Sequence, residues 1–156
     1  MTDERTVTAD VVRVDFGGCL VKWTDGSLVR ARARGKLMGE RKALGNAVVV
    51  GDRAVLETPG PDPATAEPVI VAIEARRNAF SRRATGRQLV EQVVAANLDQ
   101  IVHVASWADP EFRPGLADRI LCQAEHSGIA ARLVINKVDL AAAAGPSISL
   151  YQRTSP

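Results

Sequence analysis

Apolar and polar positions alternate along the first half of the chain, and helical spacing enters only later. Residues 7–14 are rich in Val and Thr, Gly17-Gly18 interrupts them, and residues 19–23 resume the strand pattern. Thr24-Asp25-Gly26-Ser27 has the composition of a hairpin turn before a third run over 28–33. A glycine-marked loop over 35–45 leads to a strand over 48–56 with a bend at Gly51-Asp52, and a proline-rich loop over 58–68 leads to a last strand over 69–74. Five short strands separated by turn signals predict a small closed β barrel over residues 1–77, a five-stranded OB-fold, with an SH3-like barrel as the alternative. Residues 78–96 then read as a linker leading into a short amphipathic stretch.

The second half changes period. Residues 99–105 form a largely apolar strand. Leu116, Ile120 and Ala124 fall on one helical face, with Pro114 near its start and Gly128 just past its end. Residues 131–135 make a second apolar strand, so residues 97–156 begin an α/β domain through a β-α-β unit with parallel strands.

Asn136-Lys137-Val138-Asp139 closes that second strand. Ligands of open α/β sheets sit beyond the carboxyl ends of the strands, where this tetrapeptide falls. Asn-Lys-x-Asp is the guanine-reading element of GTP-binding proteins. A carboxylate such as Asp139 accepts hydrogen bonds from the guanine ring N–H and exocyclic amine, a pair that adenine does not offer. Asn136 can bond guanine acceptors or tie neighbouring loops together. The Lys137 stem can lie along the base plane with its ammonium in water, and Val138 is expected to point inward. The plain alternative is a strand end followed by a charged turn. No Gly-x-x-x-x-Gly-Lys-Ser/Thr phosphate loop occurs in the 156 residues.

Net charge is only +2, so the distribution of charge says more than its total. Arg30, Arg32 and Arg34 alternate with alanines, which places three guanidinium groups on one face of a strand, and Lys36, Arg41 and Lys42 extend the patch into the loop. Arg76, Arg77, Arg82, Arg83 and Arg87 make a second basic cluster. OB-type barrels bind single-stranded nucleic acid through basic grooves, so the first patch is expected to contact RNA, through phosphate and shape more than base edges. The competing reading is a solvated strand face. Cys19 and Cys122 stand apart, without metal-ligand spacing, as expected in a reducing cytosol, and Cys122 is expected to be a packed small side chain. The N-terminus lacks a signal-peptide pattern and no run is long enough to span a membrane, so a cytoplasmic chain is expected.

The segments Arg32-Ala33-Arg34-Gly35-Lys36-Leu37, Val50-Gly51-Asp52-Arg53-Ala54-Val55, Ile73-Glu74-Ala75-Arg76-Arg77-Asn78, Ala95-Ala96-Asn97-Leu98-Asp99-Gln100 and Asn136-Lys137-Val138-Asp139-Leu140 follow one another in order. Together they resemble the ribosome small subunit-dependent GTPases, the circularly permuted YjeQ-type family, from about residue 7 to residue 141. The resemblance implies an OB-fold followed by a GTPase domain whose base-reading motif precedes its phosphate loop, then a zinc-binding domain. It implies GTP hydrolysis with Mg²⁺ on the small (30S) ribosomal subunit late in its maturation. It also implies guanine contact by Asn136, Lys137 and Asp139, and rRNA contact by Arg32, Arg34 and Lys36. The chain departs from the family by lacking the phosphate loop, both switches and the zinc ligands, and by an atypical tail after Leu140. The expectation is therefore a monomeric fragment that carries no catalytic residue and no metal site and is inactive alone. The alternatives are a non-catalytic rRNA-binding OB module and a non-functional gene fragment.

Overall fold

The computed structural model describes residues 5–38, 48–58, 67–83, 91–140 and 151. Strand β1 (Arg5–Asp15) runs the length of a sheet that curls into a barrel, followed by β2 (Gly18–Lys22), β3 (Leu28–Ala33), β4 (Arg53–Thr58) and β5 (Val69–Ile73). The closed order is β1-β2-β3-β5-β4, with β4 returning to β1. The amino-terminal part of β1 pairs with β4, Arg5 opposite Thr58 through Asp10 opposite Arg53, and its remainder pairs with β2. An irregularity between Val11 and Arg13 bends the strand where it changes partner. Strand β3 runs parallel to β5, with Arg32 opposite Val69, and this pair completes the five-stranded OB-like barrel that the alternation predicts.

Alternation fills the interior because successive strand residues point to opposite faces. Val11, Val21, Ala31, Leu56 and Ile70 are essentially without solvent contact, and Ala9, Cys19, Val48 and Ala54 complete the core. The β2–β3 turn is held by Asp25, whose Oδ1 accepts bonds from the Ser27 backbone N–H (2.8 Å) and hydroxyl (2.7 Å). These two bonds hold the Asp25 carboxyl below its usual range.

Residues 48–56 do not make one strand. Val48 and Val49 are buried, Val50 forms an isolated parallel bridge with Ala95, and β4 begins only at Arg53. The break lies at Gly51, at φ +87°, where the backbone approaches so closely that a Cβ would stand 2.0 Å from the Ala96 carbonyl oxygen. Gly51 N–H donates to the Val11 carbonyl and Val11 N–H to that of Asp52, both at 2.8 Å.

Where the polarity pattern predicts a linker over 78–96, the structure places an antiparallel pair, β6 (Ala79–Arg83) and β7 (Glu91–Ala96). Two compact units divide at residue 98, so this pair belongs with the barrel. The pair gives no apolar alternation to read, its apolar residues being bunched at Ala79-Phe80 and over 93–96, and its anchoring is by hydrogen bonds between residues far apart in sequence. Asp52, fully buried, accepts from Arg76 Nε (2.7 Å), Arg76 Nη2 (2.9 Å) and Val49 N–H (2.8 Å). Asn97, at φ +54°, donates from Nδ2 to the Gly51 carbonyl (2.8 Å) and accepts at Oδ1 from Arg77 N–H (2.8 Å). Asn78 and Leu98 exchange two further bonds. Arg76 and Arg77 of the expected second basic cluster thus fasten the ribbon to the barrel, while Arg82 is exposed and donates from Nε to Gln92 Oε1 at 3.2 Å. Arg87 and the Arg83 side chain lie outside the described residues.

In the second unit, β8 (Gln100–Ser106), α1 (Pro114–His126) and β9 (Ala130–Asn136) form the β-α-β unit, with parallel register from Gln100 opposite Ala130 to Ser106 opposite Asn136. Pro114 occupies the first helical turn. At the other end Gly128, at φ +64°, donates to the Glu125 carbonyl, and Ile129 N–H reaches that of Ala124, a Schellman closure. The buried helix face is rotated from the expected one: Ala117 and Ala124 are buried, Ile120 and Leu121 half-buried, and Leu116 exposed. Spacing of i, i+3, i+4, i+7 follows the 3.6-residue period, whereas i, i+4, i+8 drifts off the face. Cys122 falls on the solvent side, contrary to its expected packing. No helix among the described residues is long and apolar enough to cross a membrane.

Candidate functional site

The β9 strand delivers Asn136 to its carboxyl end directly opposite Ser106, so the loops after β8 and β9 leave the sheet side by side. Trp107 N–H donates to the Asn136 carbonyl (2.9 Å) and fastens the two loops together. The chain then turns sharply. Lys137 adopts φ +57°, and Asn136 Oδ1 accepts from the Lys137 backbone N–H at 2.8 Å. An Asn side chain bonding its neighbour's backbone is a turn-forming device, and it leaves the amide nitrogen of Asn136 as a donor outside that bond. Lys137 Nζ donates to the Asp109 carbonyl in the loop after β8. Val138–Leu140 form one 3-10 turn closed by Leu140 N–H on the Lys137 carbonyl (3.1 Å).

The structure therefore brings three polar side chains to the carboxyl end of parallel strands. Asn136 shapes the turn, the Lys137 stem spans from one loop to the other, and the Asp139 carboxylate is open to solvent. Val138 is exposed rather than inward, because the turn that follows the left-handed Lys137 carries it away from the sheet. Tyr151 returns to this unit. Its ring meets Phe112 edge-on at 5.7 Å, and its hydroxyl donates to Asp118 Oδ1 at 2.6 Å. That bond, ahead of a lesser contribution from burial, pushes the phenol up to about 12.

In the barrel, Arg30, Arg32 and Arg34 project outward from one face of β3, between the inward-facing Val29, Ala31 and Ala33. Their side chains remain 66%, 72% and 58% exposed. The row is not free of acids, as the local sequence suggests. Glu67, brought alongside by the β3–β5 register, pairs with Arg30 (3.7 Å) and with Arg32, and Glu57 of β4 pairs with Arg34 (3.3 Å). Gly35–Met38 form a short 3-10 turn that carries the Lys36 backbone; the Lys36 side chain, Arg41 and Lys42 lie outside the described residues.

One exposed residue went unread in the sequence. Phe16 stands fully in solvent at the tip of the β1–β2 hairpin, with Gly17 at φ +100° behind it. An aromatic between Asp15 and two glycines was the available signal, since a hairpin tip offers no core to enter. Next to the hairpin tip the Arg30 guanidinium lies over the Gly18 backbone, 3.4 Å from where a Cβ would be. The buried Cys19 thiol is raised by burial and then by the Asp15 and Asp52 carboxylates, which keeps it unreactive.

Comparison with known proteins bears on family and fold. The family model described as RsgA GTPase matches residues 73–154. A protein of Chlorobaculum parvum named small ribosomal subunit biogenesis GTPase RsgA is 38% identical over 139 residues, covering 86% of this chain and 44% of that protein. One of the same name from Gemmatimonas aurantiaca is 37% identical over 137 residues, covering 86% and 43%. The chain thus spans less than half the length of these relatives. Among solved structures, YjeQ from Thermotoga maritima superposes with a TM-score of 0.62 at 24% identity. YloQ, described as a circularly permuted GTPase, gives 0.59 at 22%. Each comparison covers 95% of this chain and 46% of the other, and supports the same fold.

Proposed function

The chain belongs to the RsgA GTPase family, and we propose that it carries the rRNA-docking barrel and the guanine-reading loop of a GTPase that acts on the small ribosomal subunit. The observation that carries the guanine reading is the turn at 136–139, set at the carboxyl end of a parallel strand and tied to the neighbouring loop through Trp107 and Lys137. In this reading Asp139 accepts the two N–H donors of the guanine edge, the Lys137 stem, held at its far end by the Asp109 carbonyl, supports the base plane, and Asn136 keeps the turn. Adenine would leave the carboxylate unpaired, a penalty of about 1–3 kcal/mol in a closed site.

Phosphoryl transfer requires more than base recognition. It depends on a phosphate loop, its Lys and Mg²⁺. The 156 residues contain no such loop. Among the described residues no group of three or more His, Cys, Asp or Glu could hold a metal ion. The residues here do not fit a magnesium–phosphate cradle, so no hydrolytic step is assigned to them, and the chain alone is expected to bind GTP at millimolar or weaker, about −4 kcal/mol.

The row of exposed arginines supports rRNA docking by the barrel independently of nucleotide chemistry. Phe16, exposed at the hairpin tip two residues before the Gly18 that Arg30 approaches, supplies a face on which an unpaired base can stack.

Titrating guanosine and adenosine separately into isotope-labelled chain tests the base reading. Guanosine is expected to shift the amides of residues 107–109 and 136–140, and the Asp139→Ala variant to lose that response. Equal responses to the two nucleosides would contradict the guanine assignment. GTP turnover above background by the purified chain would contradict its catalytic silence.

A further inference from the structure

We propose that Glu67 is a charge gate on the RNA-facing strand, holding Arg30 and Arg32 against the barrel until a backbone phosphate displaces it. The inference rests on the RNA-docking reading of that strand. Parallel register places it there. With Arg32 opposite Val69, the residue two positions before Val69 lies alongside Arg30, and Arg32 N–H donates to the Pro68 carbonyl at 3.0 Å. One carboxylate thereby meets two guanidinium groups, Arg30 at 3.7 Å and Arg32 in direct contact. Both arginine side chains are mostly in solvent while the Glu67 side chain is only 27% exposed. The acid is therefore the more enclosed partner, and the arginines are the ones a phosphate can reach from solvent. Glu57, 28% exposed, holds Arg34 in the same way at 3.3 Å.

The consequence is selectivity. Exposed pairs of this kind contribute little to stability, but they lower the charge that the row shows to a passing polyanion. Three arginines opposed by two carboxylates leave one net positive charge, so weak, diffuse contact with any nucleic acid is suppressed. A phosphate array that reaches Arg30 and Arg32 together replaces both contacts of Glu67 at once, whereas a single phosphate replaces only one. A structured RNA surface meets that condition and a flexible strand meets it only transiently.

Binding of the whole chain to a short oligouridine and to 30S subunits, each at two salt concentrations, tests the gate. Glu67→Gln keeps the shape and removes the charge. It is expected to tighten oligouridine binding by about three- to tenfold at low salt, to change 30S binding less, and to steepen the salt dependence for oligouridine by about 0.7 in log–log slope. Glu57→Gln, which releases Arg34 alone, gives a smaller effect in the same direction and serves if the first variant fails to fold. Glu74→Gln is the matched control. It removes the same charge from an acid that faces Arg53 of β4 at 3.6 Å rather than the row, and is expected to change affinity by under about twofold.

Equal gains for Glu67→Gln and Glu74→Gln would overturn the gate in favour of net charge. So would weaker binding by Glu67→Gln, which would make the acid an organiser of the arginines. Absence of binding by the folded wild-type chain and every folded variant to both probes would instead remove the RNA-docking reading, and the gate with it.

Discussion

At the scale of single residues, the same short segments that mark the family do two different jobs. Gly51, Asp52, Arg76, Arg77, Asn78 and Asn97 touch no candidate ligand site. They join one another, locking the β6–β7 ribbon to a barrel through a buried carboxylate and a left-handed asparagine. Removing one partner of a buried pair leaves the other uncompensated. Asp52→Asn is therefore expected to lower unfolding free energy by about 2–3 kcal/mol, the full penalty being reduced because Arg76 is one-quarter exposed. Gly51→Ala must move the Ala96 backbone and adopt a strained φ, and is expected to cost more than about 2 kcal/mol. Urea unfolding measures both, and changes below about 0.5 kcal/mol would show that the knot does not stabilise the barrel. None of this was legible along the chain. Asp52 reads as part of a bend and Arg76 as one of a basic cluster, and only the approach of distant segments makes them partners.

At the scale of elements, legibility follows burial. Strands β1, β2, β3 and β5 were readable because one face of each enters the barrel interior. The run over 48–56 was misleading because Val48 and Val49 are buried without belonging to β4, so hydrophobicity continued while the strand did not. The β6–β7 ribbon was unreadable for the opposite reason, having little apolar alternation at all. In the β-α-β unit the strands were plain, yet Val102, Val104 and Val134 remain exposed on the sheet face away from the half-buried Ile101, His103, Leu133 and Ile135. Parallel sheets are ordinarily covered on both faces, and among the described residues α1 packs against this sheet. Tyr151 gives an element-level test, being the only tyrosine in the chain. Its phenol is raised from an ordinary 10 to about 12 by donating to Asp118. The stability this docking contributes is fully present below pH 10 and lost as pH rises through about 12. Phenolate absorbance should titrate near 12 in wild type and fall toward 10 in Asp118→Asn. A wild-type midpoint near 10 would mean that the tyrosine is not docked on α1.

At the scale of the whole molecule, two compact units carry separate chemistry. The first presents an arginine row and an exposed aromatic, the second the turn at 136–139 that we propose reads guanine. The candidate residues Asn136, Lys137 and Asp139 were identifiable from spacing alone because a contiguous turn needs no tertiary partner to be recognised. The arginine row was half-legible: its alternation gave the shared face, but the carboxylates that oppose it arrive from β4 and the approach to β5. The decisive measurement is binding of the purified chain to 30S subunits at low and moderate salt, with and without a non-hydrolysable GTP analogue, alongside a variant with Arg30, Arg32 and Arg34 replaced by Ala. Salt-sensitive binding that ignores the nucleotide and is lost in the triple variant is the predicted result. Binding that is unaffected by the triple variant, or that strengthens with the GTP analogue, would contradict a barrel that docks on RNA by its own charge.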